Sequence, residues 1–267
     1  MNNSLPWKSV WITGAGRGIG RALAELLCRK GLTVYTSSRT GDELWRLHEE
    51  CKQYSGTIVP IPMDITDRQQ IEDMVASWDS GSGVPDLVVL NAGNHDPFPA
   101  QEFSAERCSK LLQINLHGTL NCIDPILKRF LKRDQGQLAV MASVAGYRGL
   151  PTAAAYGAGK AALINLCEAL RLDLYGTGVK LQVINPGFVR TPLTDKNDFK
   201  MPALMEADEA AERILQGLLS QRFEITFPKR FTFFLKLLRL LPYSWYFGLI
   251  SRTVKTDNPT VTSEKHG

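Results

Sequence analysis

The run Val10-Trp11-Ile12-Thr13-Gly14-Ala15-Gly16-Arg17-Gly18-Ile19-Gly20 decides how the whole chain is read. Residues 10–12 form a short apolar segment of the kind that makes a buried strand, and a helical pattern rich in Ala and Leu follows over 18–30. Between them, glycines let the backbone turn sharply and approach a ligand closely. The start of the helix adds free N–H groups and the positive end of its dipole, a natural seat for an anion. Gly14, Gly16, Arg17, Gly18, Ile19 and Gly20 are therefore candidate contacts of a nucleotide pyrophosphate. A glycine pattern alone is a weak signal; its place between a strand and a helix gives it weight.

Outward from this turn, short apolar runs at 33–36, 57–61, 87–90, 137–141, 180–184 and 224–227 alternate with helical patterns at 42–53, 67–78, 104–132, 152–175 and 207–220. Strands separated by helices call for βαβ crossovers. The expected fold is α/β: a doubly wound, Rossmann-type parallel sheet of about seven strands with helices on both faces. No repeat or low-complexity linker interrupts it. The expected division is a catalytic domain over 1–228, including a substrate lid at 188–205, and a basic-aromatic extension over 229–267. In such sheets ligands sit beyond the carboxyl ends of the strands, and chemistry is expected there.

The second strand ends Ser37-Ser38-Arg39-Thr40, with no acid before Asp42. A carboxylate there would hold a ribose 2′-hydroxyl and repel a 2′-phosphate. Ser38 and Arg39, with Arg17 in the glycine turn, suit the phosphate instead, since guanidinium forks match its oxygens. NADP(H) is thus expected over NAD(H). Asp64 and Ile65 close the third strand, where the carboxylate can accept from an adenine amino group. Asn91-Ala92-Gly93 closes the fourth, a small turn under which a ribose can pass. Read singly, each is equally an Asx-type turn.

Ser143 follows the fifth strand, and thirteen residues later come Tyr156 and Lys160, spaced i, i+4 on one helix face. Free tyrosine has a pKa of about 10 and is a poor base at neutrality; a neighbouring ammonium stabilises the phenolate. Ser143 can hold the substrate oxygen that Tyr156 protonates. Taken alone, the pair reads more readily as two side chains on an exposed helix face, with Ser143 as a turn residue.

Together with Asp64, Asn91-Ala92-Gly93, Asn115, Ser143, Tyr156, Lys160 and Pro186-Gly187, the glycine turn resembles the short-chain dehydrogenase/reductase family, in its compact single-domain branch, over roughly residues 8–228. The resemblance implies an NAD(P)-dependent oxidoreductase, with Tyr156 as general acid/base, Ser143 beside it and Asn115 as a helper that holds a water. It implies that Lys160 also binds the nicotinamide ribose, and that Pro186, Gly187, Val189 and Thr191 border the nicotinamide. It also implies a homo-oligomer. Gly159 departs from the family pattern, which usually has Ser before the lysine. A catalytically silent nucleotide sensor or scaffold is the rival reading.

His95, Phe98, Tyr147, Leu150, Phe188 and Leu193 are expected to border the substrate, which their character makes an apolar ketone, aldehyde or secondary alcohol. Phe199, Met201, Leu204 and Met205 are further apolar candidates on the lid. The net charge of +4 is too mild to argue for nucleic acid, and it is unevenly placed. Residues 225–256 hold six Lys/Arg and no acid, leaving 25 basic against 27 acidic residues elsewhere. The same stretch holds 8 of the 23 aromatics. Lys236, Arg239 and Pro242 interrupt it, so it is not expected to span a bilayer. Contact with a membrane surface through 229–255 and packing against the lid or a second subunit stand as alternatives. Five scattered cysteines without a C-x-x-C pair suggest a reducing compartment and no metal site. With no signal-peptide pattern at the start, the expected location is cytoplasmic, with a peripheral place on the inner face of a membrane as the extension's alternative.

Overall fold

The computed structural model describes residues 5–197 and 201–254, the last three by backbone alone. Phe199, one of the expected lid residues, lies outside this range. Seven parallel strands form one sheet: β1 (Ser9–Thr13), β2 (Thr33–Ser38), β3 (Thr57–Pro62), β4 (Leu87–Leu90), β5 (Gly136–Met141), β6 (Val179–Pro186) and β7 (Glu224–Phe227), in the order β3-β2-β1-β4-β5-β6-β7. The order reverses beside β1, which places a crevice between the carboxyl ends of β1 and β4.

Period-two alternation sends successive side chains to opposite faces. Val10 and Ile12 of β1, with Val89 and Ala139, join one buried cluster; Trp11, Val88, Leu90, Leu138 and Val140 join the other. Leu23 and Leu27 of α1 (Gly18–Arg29), Leu44 and Leu47 of α2 (Gly41–Cys51), and Ile214 and Leu218 of α7 (Ala207–Leu219) cover the first face. The second is covered by α3 (Arg68–Asp79), α5 (Gly118–Arg133) and α6 (Ala154–Asp173), through Ile71, Val75, Ile126, Phe130, Leu163 and Cys167. Both faces are dry, as an all-parallel sheet requires.

The single helix expected over 104–132 is instead α4 (Ala105–Leu112), a π-helical turn at Gln113–His117, and α5. Beyond β7 the chain makes two more helices, α8 (Lys229–Arg239) and α9 (Tyr243–Val254), parted at Pro242. Among the described residues no helix is long and apolar enough to cross a membrane.

Candidate active site

The glycine turn opens α1 with Arg17 at the N-cap; no side chain caps this helix and its first turn holds no acid. Its leading amides and dipole end are thus left for an outside anion. Gly14 has φ +67°, and a Cβ there would lie 2.7 Å from Cα of Ala92. The turn therefore lies directly against the end of β4. Asn91 Nδ2 fastens the two, donating to the Thr13 and Gly14 carbonyls at 3.0 and 3.1 Å. So Asn91 acts through its side chain on the turn itself.

Together these segments wall a cleft of about 250 Å³, lined by Gly14, Gly16, Arg17, Gly18, Ile19, Ser38, Arg39, Asp64, Ile65, Asn91, Ala92, Gly93, Thr191 and Leu193 among others. Asp64 is braced by the Thr66 amide and hydroxyl, both donating to Oδ1 at 2.9 Å. Among the lining residues that the sequence reading did not name, Glu43 bears on the cofactor. Glu43, in the first turn of α2, reaches back to the glycine turn: a Cβ on Gly16 would meet its Oε2 at 2.3 Å and Ser38 Oγ at 3.1 Å. An acid does stand beside Ser38, only one residue beyond Asp42. Its helical setting aims it inward, and no strand-end pattern signals that.

Adjoining the cleft is a cavity of about 100 Å³ walled by Ser143, Tyr156, Lys160, Pro186, Gly187 and Val189, with Ile19, Asn91, Gly93, Asn94, Thr191 and Leu193 shared between the two. Ser143 caps a short 3₁₀ turn, its Oγ accepting from the Ala145 amide at 3.1 Å. Lys160 Nζ lies 5.7 Å from the centre of the Tyr156 ring and donates to the Met141 carbonyl at 2.7 Å. Burial depresses the amine to about 8, so it remains largely cationic at neutrality. Tyr156 differs from the expectation. Burial raises its phenol, and a hydrogen bond from Ser143 only partly opposes this. Loss of water is the largest influence on the phenol.

Asn115 sits in the π turn, fully buried. Its Oδ1 accepts from the Asn94 amide at 2.7 Å and its Nδ2 donates to the Asn94 carbonyl at 2.8 Å. The side chain is committed to the backbone that follows β4, and it lines neither cavity. Gly159, the odd residue before the lysine, has a packing reason: a Cβ there would come within 3.2 Å of Leu112 Cδ2. The end of the Leu112 side chain would have to yield by a few tenths of an ångström to admit one.

Of the residues expected to border the substrate, Leu193 lines both cavities. The other five do not line either. Phe98 is buried with Leu111 and Ala155, a floor beneath Tyr156, with Arg107 stacked 4.5 Å from its ring. Tyr147 is turned into the core, its hydroxyl donating to Glu224. Leu150 is half-buried away from the cavity walls, and the Phe188 ring lies 5.8 Å from that of Phe231 on α8. His95 is buried edge-on to Tyr156, ring centres 4.7 Å apart, and its Nε2 is 3.1 Å from Asn197 Oδ1. Lys196 Nζ donates to the His95 carbonyl at 2.7 Å, so this turn holds the lid in place. Met205 anchors the lid's far end, its amide donating to the Phe188 carbonyl at 3.0 Å and its carbonyl accepting from the Arg190 amide at 2.8 Å. In sequence these were aromatic or apolar residues near the right loops; which way they turn is decided by long-range packing.

Comparison with known proteins agrees with this geometry. Residues 8–201 match the sequence pattern of the short chain dehydrogenase family. An uncharacterised oxidoreductase of Myxococcus xanthus is 34% identical over 238 residues, spanning 89% of this chain and 94% of that protein. Another, from Staphylococcus epidermidis, is 32% identical over 207 residues, spanning 78% and 89%. A solved short-chain dehydrogenase from Streptomyces avermitilis superimposes with a TM-score of 0.78 at 23% identity, covering 96% of this chain and all of that one. An alcohol dehydrogenase from the archaeon Thermococcus sibiricus, complexed with 5-hydroxy-NADP, does so at 0.73 with 25% identity, covering 82% and 95%. With the glycine turn on β1, the serine after β5 and the tyrosine–lysine pair on α6 sharing one crevice, the chain belongs to the short-chain dehydrogenase/reductase family of NAD(P)-linked oxidoreductases.

Proposed function

We propose that the protein reduces an apolar ketone or aldehyde with NADPH, or oxidises the corresponding secondary alcohol, with Tyr156 as the proton-transferring group. The observation that carries this reading is the convergence of Ser143, Tyr156 and Lys160 on one small cavity that opens into the glycine-turn cleft. The cleft suits the cofactor: the close approach at Gly14 and the uncapped start of α1 leave room and donors for a pyrophosphate. Arg17, Ser38 and Arg39 would take the 2′-phosphate, and Asp64 and Ile65 the adenine. Gly93, Lys160 and Thr191 would hold the nicotinamide half. Bound there, the nucleotide supplies or accepts hydride at the substrate carbon.

The chain's own residues manage the proton. A raised phenol stays protonated at neutral pH, which suits Tyr156 to donate to the oxygen of a carbonyl being reduced. As its proton leaves, the Lys160 ammonium stabilises the phenolate. Ser143 orients the same oxygen. Leu193 and Val189 exclude water around the transfer, strengthening both interactions. The NADPH preference draws on Arg17 and Arg39, and on the NADP-type ligands of structural neighbours such as a dehydrogenase from Sphingobium yanoikuyae solved with NADPH. Family members are often oligomeric, and we take this one to be a homo-oligomer in the cytoplasm.

The deciding experiment is Tyr156→Phe, assayed with a panel of apolar carbonyls and NADPH. Turnover should fall by about 10²-fold or more, the usual contribution of a positioned acid, while NADPH affinity by fluorescence titration stays within about twofold. An active Tyr156→Phe enzyme would remove the residue from proton transfer. A wild-type protein that binds NADPH but turns over no carbonyl or alcohol in either direction would favour the silent sensor.

A further inference from the structure

α8 and α9 are held to the body by one side and bare on the other. On the inner side, Thr232 and Leu238 are buried, Phe231 and Leu235 pack on the core, and Lys236 pairs with Glu224 of β7. Arg148 closes the C-terminal end of α8, donating to the carbonyls of Leu238 and Leu241 at 2.5 and 2.8 Å. Its guanidinium stacks 4.0 Å over the ring of Tyr246, whose hydroxyl donates to the Gly149 carbonyl at 2.5 Å. The helices are thus fixed, and their outer face is not a surface waiting to fold inward.

Phe233, Phe234, Leu237 and Leu240 share the exposed side of α8, and Tyr243, Trp245, Phe247 and Leu249 stand exposed along α9, with Leu240 at 81% and Trp245 at 69%. These make up most of the large exposed apolar side chains among the described residues. Exposed Lys229, Arg230 and Arg239 flank them, and no Asp or Glu occurs between 225 and 254. Apolar patches of this kind mark an interaction site. The charge selects the partner. A two-fold contact with a second copy would lay this positive face against itself, like charge against like. An anionic bilayer offers the opposite charge and a headgroup layer in which Trp and Tyr rings sit favourably.

We propose that the exposed face of α8 and α9 docks on an anionic lipid surface. The opposite, inner side of α8 adjoins the active site: a Cβ on Gly187, which lines the catalytic cavity, would come 3.0 Å from the Phe231 ring, so one helix diameter of about 10 Å parts the exposed face from the cavity wall. Docking would therefore set the catalytic cavity beside the bilayer, and its substrate would be a carbonyl or alcohol dissolved in lipid. This last clause rests on the oxidoreductase reading; the docking itself does not.

Flotation of the full chain with vesicles of phosphatidylcholine, with and without phosphatidylglycerol, tests the surface. The protein should float with the anionic vesicles and be released by high salt. Lys229→Gln with Arg230→Gln should weaken binding roughly thirtyfold, from about 1 kcal/mol per basic residue at such a surface. Phe233→Ser with Phe234→Ser and Trp245→Ser should abolish flotation. The variants alter only exposed side chains, and a melting curve matching wild type confirms the fold. Equal flotation of all three proteins, or none by wild type, overturns the proposal. So does a wild-type dimer that the aromatic variant converts to monomer without any lipid binding, since a second copy then covers the face. Activity is read separately on a short, water-soluble ketone and a long-chain one in vesicles. The aromatic variant should lose only the second. Flotation without any carbonyl turnover would leave the surface standing and sink the reductase.

Discussion

Lys160 is a charged group in a dry place, held by one carbonyl and shifted to about 8 by burial. Its folded-state value lies below that of an unfolded lysine, so below pH 8 the native state must keep a proton it holds poorly. That penalty lessens as pH climbs from 8 toward 10.5, where the unfolded chain still binds the proton. The shift corresponds to roughly 3 kcal/mol at neutrality. Lys160→Met is therefore expected to be inactive yet to melt at a higher temperature than wild type at pH 7, the difference shrinking by pH 10. Calorimetry of the two proteins across that range checks the sign. The same group sets an upper limit on reduction. Once the amine deprotonates, above about pH 8, kcat/KM for the carbonyl should decline. Glu43 presents a second residue-level choice, for it stands beside Ser38 among the arginines that favour phosphate. Arg39→Asp should weaken NADPH relative to NADH, and Glu43→Gln should shift the ratio the other way, each roughly fivefold for about 1 kcal/mol at a partly exposed charge. Dissociation constants for both nucleotides measure it directly. A ratio unmoved by Arg39→Asp would refute the NADPH assignment.

At the level of elements, most of the architecture could be read from pattern. The apolar runs sat where strands formed, because strands buried on both faces need little beyond continuous Val, Ile and Leu. The break in the long helix could not be read that way. Residues 104–132 keep a helical period throughout, and only the pairing of Asn115 with the Asn94 backbone, 21 residues away, explains the widened turn at Gln113–His117. Such π turns accommodate one side chain at a site without ending the helix. Asn115→Ala would leave the Asn94 amide and carbonyl without partners, at about 1–3 kcal/mol each. A lower melting temperature is expected, with reduced kcat and a nicotinamide nucleotide affinity close to wild type. Unchanged kcat would show that this clamp does not position the catalytic cavity. Gly159 belongs here too. Helical propensity counts against it, and the contact with Leu112 that justifies it exists only once α4 and α6 are packed.

For the molecule as a whole, the strand-end rule located the crevice, and the residues at strand ends proved to line it. What failed was orientation in the loops. Tyr147 and Phe98 lie in segments next to the cavity, yet one turns to Glu224 and the other beneath Tyr156. A one-dimensional pattern tells which loop is near; it does not tell which rotamer the surrounding core permits. The tail, by contrast, is distinct in charge alone, with six basic residues and no acid over 225–256. Its attachment has a consequence for how such proteins diversify. Glu224 receives Tyr147, Asn185 and Lys236 together, while Arg148 grips the far end of α8. The two helices are therefore not an interchangeable module. Grafting them onto a relative would require the partner residues at 147, 148 and 224 to travel with them, and a chimera lacking those partners would leave the Lys236 ammonium without its carboxylate and the Leu238 and Leu241 carbonyls without a donor.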